Sequence, residues 1–180
     1  MAPMPGGDDA ADLPDWLVPP PMIGGQVTGP VVIGRSGGLL VAVRQVLAFP
    51  AGIEVEAHAR GSAGGGTASA AADAVGHPRL RFWVQFADGH QAVQDDEVGL
   101  HSGGGPMLTV TGSQTSSGGP GDRQDIRLTL WIWPLPPPGP VMVTCSRPGR
   151  GVDDARLVLD GDQIQAAASR AQPFWPESSP

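Results

Sequence analysis

The sequence predicts an all-β protein, a single-domain antiparallel β-sandwich of about eight strands with one short C-terminal helix, and a partly open β-barrel as the alternative. Three observations carry this. Apolar residues recur at every second position in several short runs, the period of a strand with one buried face. The 27 glycines and 20 prolines cluster between those runs, so about a quarter of the 180 residues reads as turns around a β framework. Pro50-Ala51-Gly52 and Asp88-Gly89 each lie between two such runs, as hairpin turns do.

Taken in order, residues 1–12 hold almost nothing to bury and are expected to form a disordered tail ahead of a domain over 13–176, with a polar tail at 177–180. Leu13 to Val18 is the first apolar cluster, in which Trp16 is expected to dock on the body before Pro19 to Pro21 end the segment. Val31 to Ile33 suits a short edge strand. Leu39 to Phe49 is ambiguous between helix and strand by periodicity. The turn Pro50-Ala51-Gly52, followed by Ile53, Val55 and Ala57 alternating with polar residues, makes the two runs a hairpin. The Gly, Ala and Ser of 61–78 predict a flexible loop. Leu80, Phe82, Val84 and Phe86 then face the core, and a two-residue turn at Asp88-Gly89 is expected to pair Gln85 with Ala92. Met107 to Val110 is a further short strand, and 112–124 reads as a second flexible loop.

Ile126 to Trp133 alternates and becomes apolar on both faces in its second half, which belongs in the middle of a sheet. Pro134, Pro136, Pro137, Pro138 and Pro140 remove ladder donors and fix φ, so the sheet must stop at a stiff corner before Val141, Val143 and Cys145 resume the alternation. The corner is too long for a tight hairpin, and its two strands are expected to be offset, in different sheets. After a strand over Arg156 to Leu159, Asp160 can cap a helix to about Ala171 with Ile164, Ala167, Ala168 and Ala171 as its apolar stripe. Pro173 stops it, and Phe174 and Trp175 offer a second aromatic anchor.

The formal net charge is −7, so a phosphate backbone is repelled on average and no nucleic-acid partner is expected. All eleven basic residues are Arg, and Lys, Asn and Tyr are absent, a compositional bias that says nothing of a ligand. One cysteine forms no internal disulfide, residues 1–15 lack the basic and apolar regions of a signal peptide, and no apolar run approaches 20 residues. No membrane association, no cofactor and a cytoplasmic location are the resulting expectations.

Gly34-Arg35-Ser36-Gly37-Gly38 matches the G-x-S-x-G nucleophile elbow, which needs a strand before it and a helix after it. Here the following segment reads as strand, and a flexible turn is the simpler account. Glu54, Glu56 and His58 project from one strand face and could hold a divalent metal, completed by His90 or His101, although alternating polar residues also mark any solvated sheet face. Asp95-Asp96-Glu97, Asp153-Asp154 and Asp160-Gly161-Asp162 suit solvated loops and a helix N-terminus, and Cys145 suits a small buried hydrophobe. Trp131 and Trp133 beside Pro136, Pro137 and Pro138 could form a platform for a peptide, sugar or protein. These residues favour a non-enzymatic binding or assembly module with a protein partner or a second copy of itself. The alternative is a small hydrolase or metal-dependent enzyme using Ser36 or the Glu54, Glu56, His58 face.

Three stretches, Arg81-Phe82-Trp83-Val84-Gln85-Phe86-Ala87-Asp88-Gly89, Trp131-Ile132-Trp133-Pro134-Leu135-Pro136-Pro137-Pro138-Gly139-Pro140, and Leu159-Asp160 with Ala171-Gln172-Pro173-Phe174-Trp175-Pro176, carry a resemblance. Together they resemble a family of uncharacterised β-rich proteins from high-GC, actinobacterial genomes that share a WPLPPPGP corner. The likeness runs from about Pro19 to Pro176 and implies common ancestry without an activity, cofactor or catalytic residue. In that family the strand after the corner often carries an acidic residue and a Trp, where this chain has Ser146 and Arg147, so a partner contact there is expected to differ.

Overall fold

Strand alternation is realised as two antiparallel sheets whose apolar faces meet. The computed structural model describes residues 13–36, 38–62, 80–94, 105–118, 123–147 and 150–175. Among these, β2 (Gly25–Thr28), β4 (Leu39–Phe49), β5 (Gly52–Ser62), β9 (Arg123–Trp133) and β8 (Met107–Gly118) lie side by side in that order, with β3 (Val31–Arg35) also paired to β4. The second sheet runs β11 (Val152–Asp160), β10 (Pro140–Arg147), β6 (Arg81–Gln85), β7 (Gln91–Val93). A two-stranded ladder joins β1 (Met22–Ile23) to β12 (Gln172–Pro173). One helix, α1 (Gly161–Ala168), closes the far end of β11. The fold is an all-β sandwich without a closed barrel.

The core follows the pleat. Ile53, Val55, Ala57 and Ala59 of β5 stand beside Ile132, Leu130, Leu128 and Ile126 of β9, and all but Ile126 are buried. Across from them Phe82 and Val84 pair with Cys145 and Val143, and all four are fully buried. The two sets belong to one continuous apolar cluster, which is what the alternating runs require.

The proline corner does as its sequence demands. It carries the chain from β9 in the six-stranded sheet, through a cis Trp133–Pro134 peptide, to β10 in the four-stranded one. It is anchored on α1. Gly161 N donates to Gly139 O at 2.7 Å, and Gln165 Nε2 donates to Pro136 O at 3.1 Å.

Several boundaries differ from expectation. The loop expected over 112–124 is instead strand through Gly118 and again from Arg123, in register with β9 from Gly112↔Thr129 to Gly118↔Arg123. Ser113 to Gly118 are exposed, because no described strand of the second sheet covers them, and a half-strand with both faces wet needs no apolar alternation. Of the loop expected over 61–78, Gly61 and Ser62 complete β5 and the remainder lies outside the described residues, as do both tails. The hairpin at Asp88-Gly89 has a three-residue loop. Phe86 N donates to His90 O, Gly89 takes φ 86°, and Gln85 pairs with Gln91, one residue from the expected register. This register turns Ala92 inward beside Val84 and leaves Val93 out. Helix α1 stops at Ala168, three residues early. Ser169 Oγ bonds back to Ala166 O at 2.8 Å, and the chain leaves to pair β12 with β1. Phe174 and Trp175 stay exposed and dock on nothing described, whereas Trp16 is half-buried.

Candidate functional site

Burial sorts the aromatic and proline residues of the corner. On β9 every second residue faces the core, so Trp131 and Trp133 point to the outer side of the six-stranded sheet. There a second layer forms over them. Trp131 is completely buried, makes an edge-on contact with Phe49 (centroids 5.7 Å apart, planes at 74°), and donates its indole N–H to Asp15 O at 2.8 Å. Gly24 lies directly on the Phe49 ring, so a Cβ there would overlap it. The segment from Asp15 to Gly24 is thus a strap across this face. Pro136 is buried, Pro137 and Trp133 are half-buried, and only Pro138 is exposed. An exposed platform at Trp131 with Pro136 is therefore ruled out by burial.

Glu54, Glu56 and His58 do share the outer face of β5, but Glu56 and His58 are already paired with other side chains. Glu54 is the cross-strand neighbour of Trp131, and burial, with Glu56 nearby, pushes its carboxyl above the usual carboxylate range. Glu56 meets Arg44 at 3.5 Å. His58 Nε2 bonds to Asp125 Oδ1 at 2.8 Å, and Arg127 and Arg60 approach the same carboxylate at 3.6 and 3.9 Å. A carboxylate surrounded by three nitrogen-bearing side chains is a neutralised surface network. His90 belongs to the hairpin of the other sheet, where its backbone N–H and ring hold the Asp88 carboxylate below its ordinary range. Among the described residues no group of three His, Cys, Asp or Glu could hold a metal ion. His77, His101 and Asp95-Asp96-Glu97 lie outside the described residues.

Ser36 sits in the short connection from β3 to β4, with its N–H on Leu39 O at 2.8 Å and its hydroxyl on the same carbonyl at 3.5 Å. The chain leaves it as strand β4 and not as a helix, so the geometry that exposes an elbow serine above a parallel sheet is absent. Cys145 is fully buried, and desolvation pushes its thiol up to about 12. Asp160 caps α1 by accepting from Asp162 N at 2.9 Å, which accounts for Asp160-Gly161-Asp162. Asp153 and Asp154 are exposed on β11.

No family model, curated protein or solved structure matches the chain.

What sequence reasoning missed is an edge. The β2 side of the six-stranded sheet is covered: a Cβ on Gly25 would strike the Ala167 carbonyl of α1, and Arg170 Nη2 donates to Gln26 O at 3.1 Å. Next to it β3 packs on β11, where a Cβ on Gly34 would come within 2.9 Å of Ala155 Cβ. The opposite border, β8, is twelve residues long with no charge and no proline. Among the described residues it is hydrogen-bonded to no strand but β9, and Ser113 to Gly118 are exposed. Edges are usually shortened, charged, bulged or covered because they template pairing. β8 has a bulge between Val110 and Gly112, and beyond it seven residues keep a regular register with β9 and pair with no other described strand. Thr109, Thr111 and Thr115, with no Pro or charge from Met107 to Gly118, are the signal that a reading of 112–118 as strand needed. No helix among the described residues is long and apolar enough to cross a membrane.

Proposed function

We propose that the chain is a non-enzymatic binding or assembly module of the cytoplasm that works by strand addition to the free half of β8, Gly112 to Gly118. The observation that carries this is the length of unpaired edge: among the described residues β8 pairs only with β9 and keeps seven uncharged residues in regular register, whereas on the β2 border Arg170 Nη2 already holds Gln26 O. An unpaired edge offers a row of backbone donors and acceptors to an extended segment, and such main-chain bonding supplies affinity without a pocket. The Trp131, Trp133 and proline corner then serves as scaffold, and we propose it as the mark of kinship with the high-GC family it resembles.

The test compares proteins retained from cells that make this chain by wild type and by Thr115→Lys. Residue 115 is exposed, so the variant should fold, and a charge there opposes pairing along the edge. Loss of a specific bound protein, the chain itself included, on Thr115→Lys supports the reading. An identical bound set for both proteins rejects it.

A further inference from the structure

The open half of β8 reads nearly the same from both ends. About Thr115, Gly112-Ser113-Gln114 on one side is met by Ser116-Ser117-Gly118 on the other, so reversal pairs Gly with Gly, Ser with Ser, Gln with Ser and Thr with itself. An antiparallel strand pairing with its own copy about a two-fold axis needs this self-complementarity, because residue 115 + n must accept residue 115 − n. No like charges are opposed, and Thr–Thr and Ser–Ser are favourable cross-strand pairs.

The neighbouring strand raises no obstacle. Gln114 lies opposite Arg127 of β9, and Ser116 lies opposite Asp125. In the two-fold arrangement Gln114 faces Ser116 of the second copy, so Arg127 of each molecule falls in one cross-strand row with Asp125 of the other. Three strand spacings, about 14 Å, separate the two, and Asp125 is already met by His58, Arg60 and Arg127 of its own molecule, so the row sets no like charges against each other across the axis. Pairing of β8 with β8 about a two-fold axis uses the same edge in both molecules, so it closes at two copies and does not grow into a fibre.

We infer that the occupant of the β8 edge is β8 of a second copy, in an antiparallel two-fold pair centred on Thr115 that joins two six-stranded sheets into one. This rests on the reading of β8 as the working edge. Seven residue pairs make a small interface, so the dimer is expected to be weak, with Kd on the order of 10–100 µM.

Sedimentation or light scattering over a concentration series of the full chain tests it, with Thr115→Glu, Thr115→Lys and their equimolar mixture. Like charges face each other across the axis in each variant alone and opposite charges in the mixture. The expected result is a reversible wild-type dimer, a severalfold or greater weakening in each variant, and recovery in the mixture. Unchanged circular dichroism shows that the variants fold. Thr115→Cys adds a positional check: the disulfide-linked dimer should form at 115, where antiparallel Cα separations suit the bond, and not in wild type, whose only thiol is buried. A dimer indifferent to all three substitutions overturns the inference. A wild type that stays monomeric while Thr115→Lys still loses a different bound protein overturns self-pairing and leaves the edge reading standing. A monomer with no edge-dependent partner overturns both.

Discussion

Replacing Trp131 by Ala separates a structural corner from a binding platform. The indole has no exposed surface. A Trp side chain of about 200 Å² at about 25 cal/mol per Å² gives an upper bound near 5 kcal/mol for its burial. The edge-on Phe49 contact adds about 0.5–1.5 kcal/mol, and the N–H bond to Asp15 O about 1 kcal/mol net. These sums overshoot, because the strap can settle onto the vacated space, and the expected loss is about 3–5 kcal/mol. With a urea slope of about 2 kcal/mol/M, a loss of about 4 kcal/mol lowers the unfolding midpoint by about 2 M. Equilibrium urea unfolding followed by far-ultraviolet circular dichroism reads this directly. Trp131→Phe retains most of the ring contact and loses the donor, so its midpoint should fall between the two. A midpoint for Trp131→Ala within about 0.25 M of wild type, the behaviour of an exposed side chain, would show that the strap does not cover this face and would restore the platform.

Three further outcomes rest on particular groups. Burial and Glu56 raise the Glu54 carboxyl above 4.5, so the folded state binds this proton more tightly than the unfolded chain; stability falls as pH rises through that window, and the cost persists at neutral pH. Glu54→Gln should therefore be at least as stable as wild type at about pH 7 and show a flatter stability profile between about pH 4 and 7; a large loss at neutral pH sinks this account. Cys145, with its thiol pushed up to about 12, should resist aromatic disulfide reagents at about pH 8 until urea unfolds the chain, and rapid labelling of native protein would contradict its burial. Gly161→Ala places a Cβ against the Pro137 and Gly139 carbonyls and should destabilise by about 1–3 kcal/mol in the same urea assay, while Ser36→Ala should change little, and neither wild type nor variant should take up a fluorophosphonate probe.

How much of this was legible depends on whether a segment has one wet face or two. Ile53 to Ala59 and the first half of Ile126 to Ile132 announce themselves because each presents one face to the core and must alternate, whereas Leu39 to Phe49, ambiguous by periodicity, is fixed by the turn at Pro50-Ala51-Gly52 beside it. Gly112 to Gly118 overhangs the second sheet, needs apolar residues on neither side, and so resembles a loop in sequence while pairing as regularly as its neighbours. The same gap hid the candidate site, since an edge is defined by what lies beside it and no residue type encodes that. At Asp88-Gly89 the turn was legible, and the register was not. Gly89 in the left-handed region and the Phe86–His90 bond make a three-residue loop, and the choice is forced by which of Ala92 and Val93 the core accepts.

By itself the sequence determined the sheet architecture, the break at Pro134 to Pro140 that sends β9 and β10 to different sheets, and the Asp160 cap, because backbone sterics and period-two burial act locally. The tertiary structure decided which aromatic residues are covered, since a strap more than a hundred residues away in sequence seals Trp131 through the Asp15 carbonyl. It also decided that His58 faces Asp125 and that, among the described residues, β8 pairs with no strand but β9. Those facts depend on which distant segments meet. Pairings of that range are set by the packing of the whole core, and no window of sequence contains them.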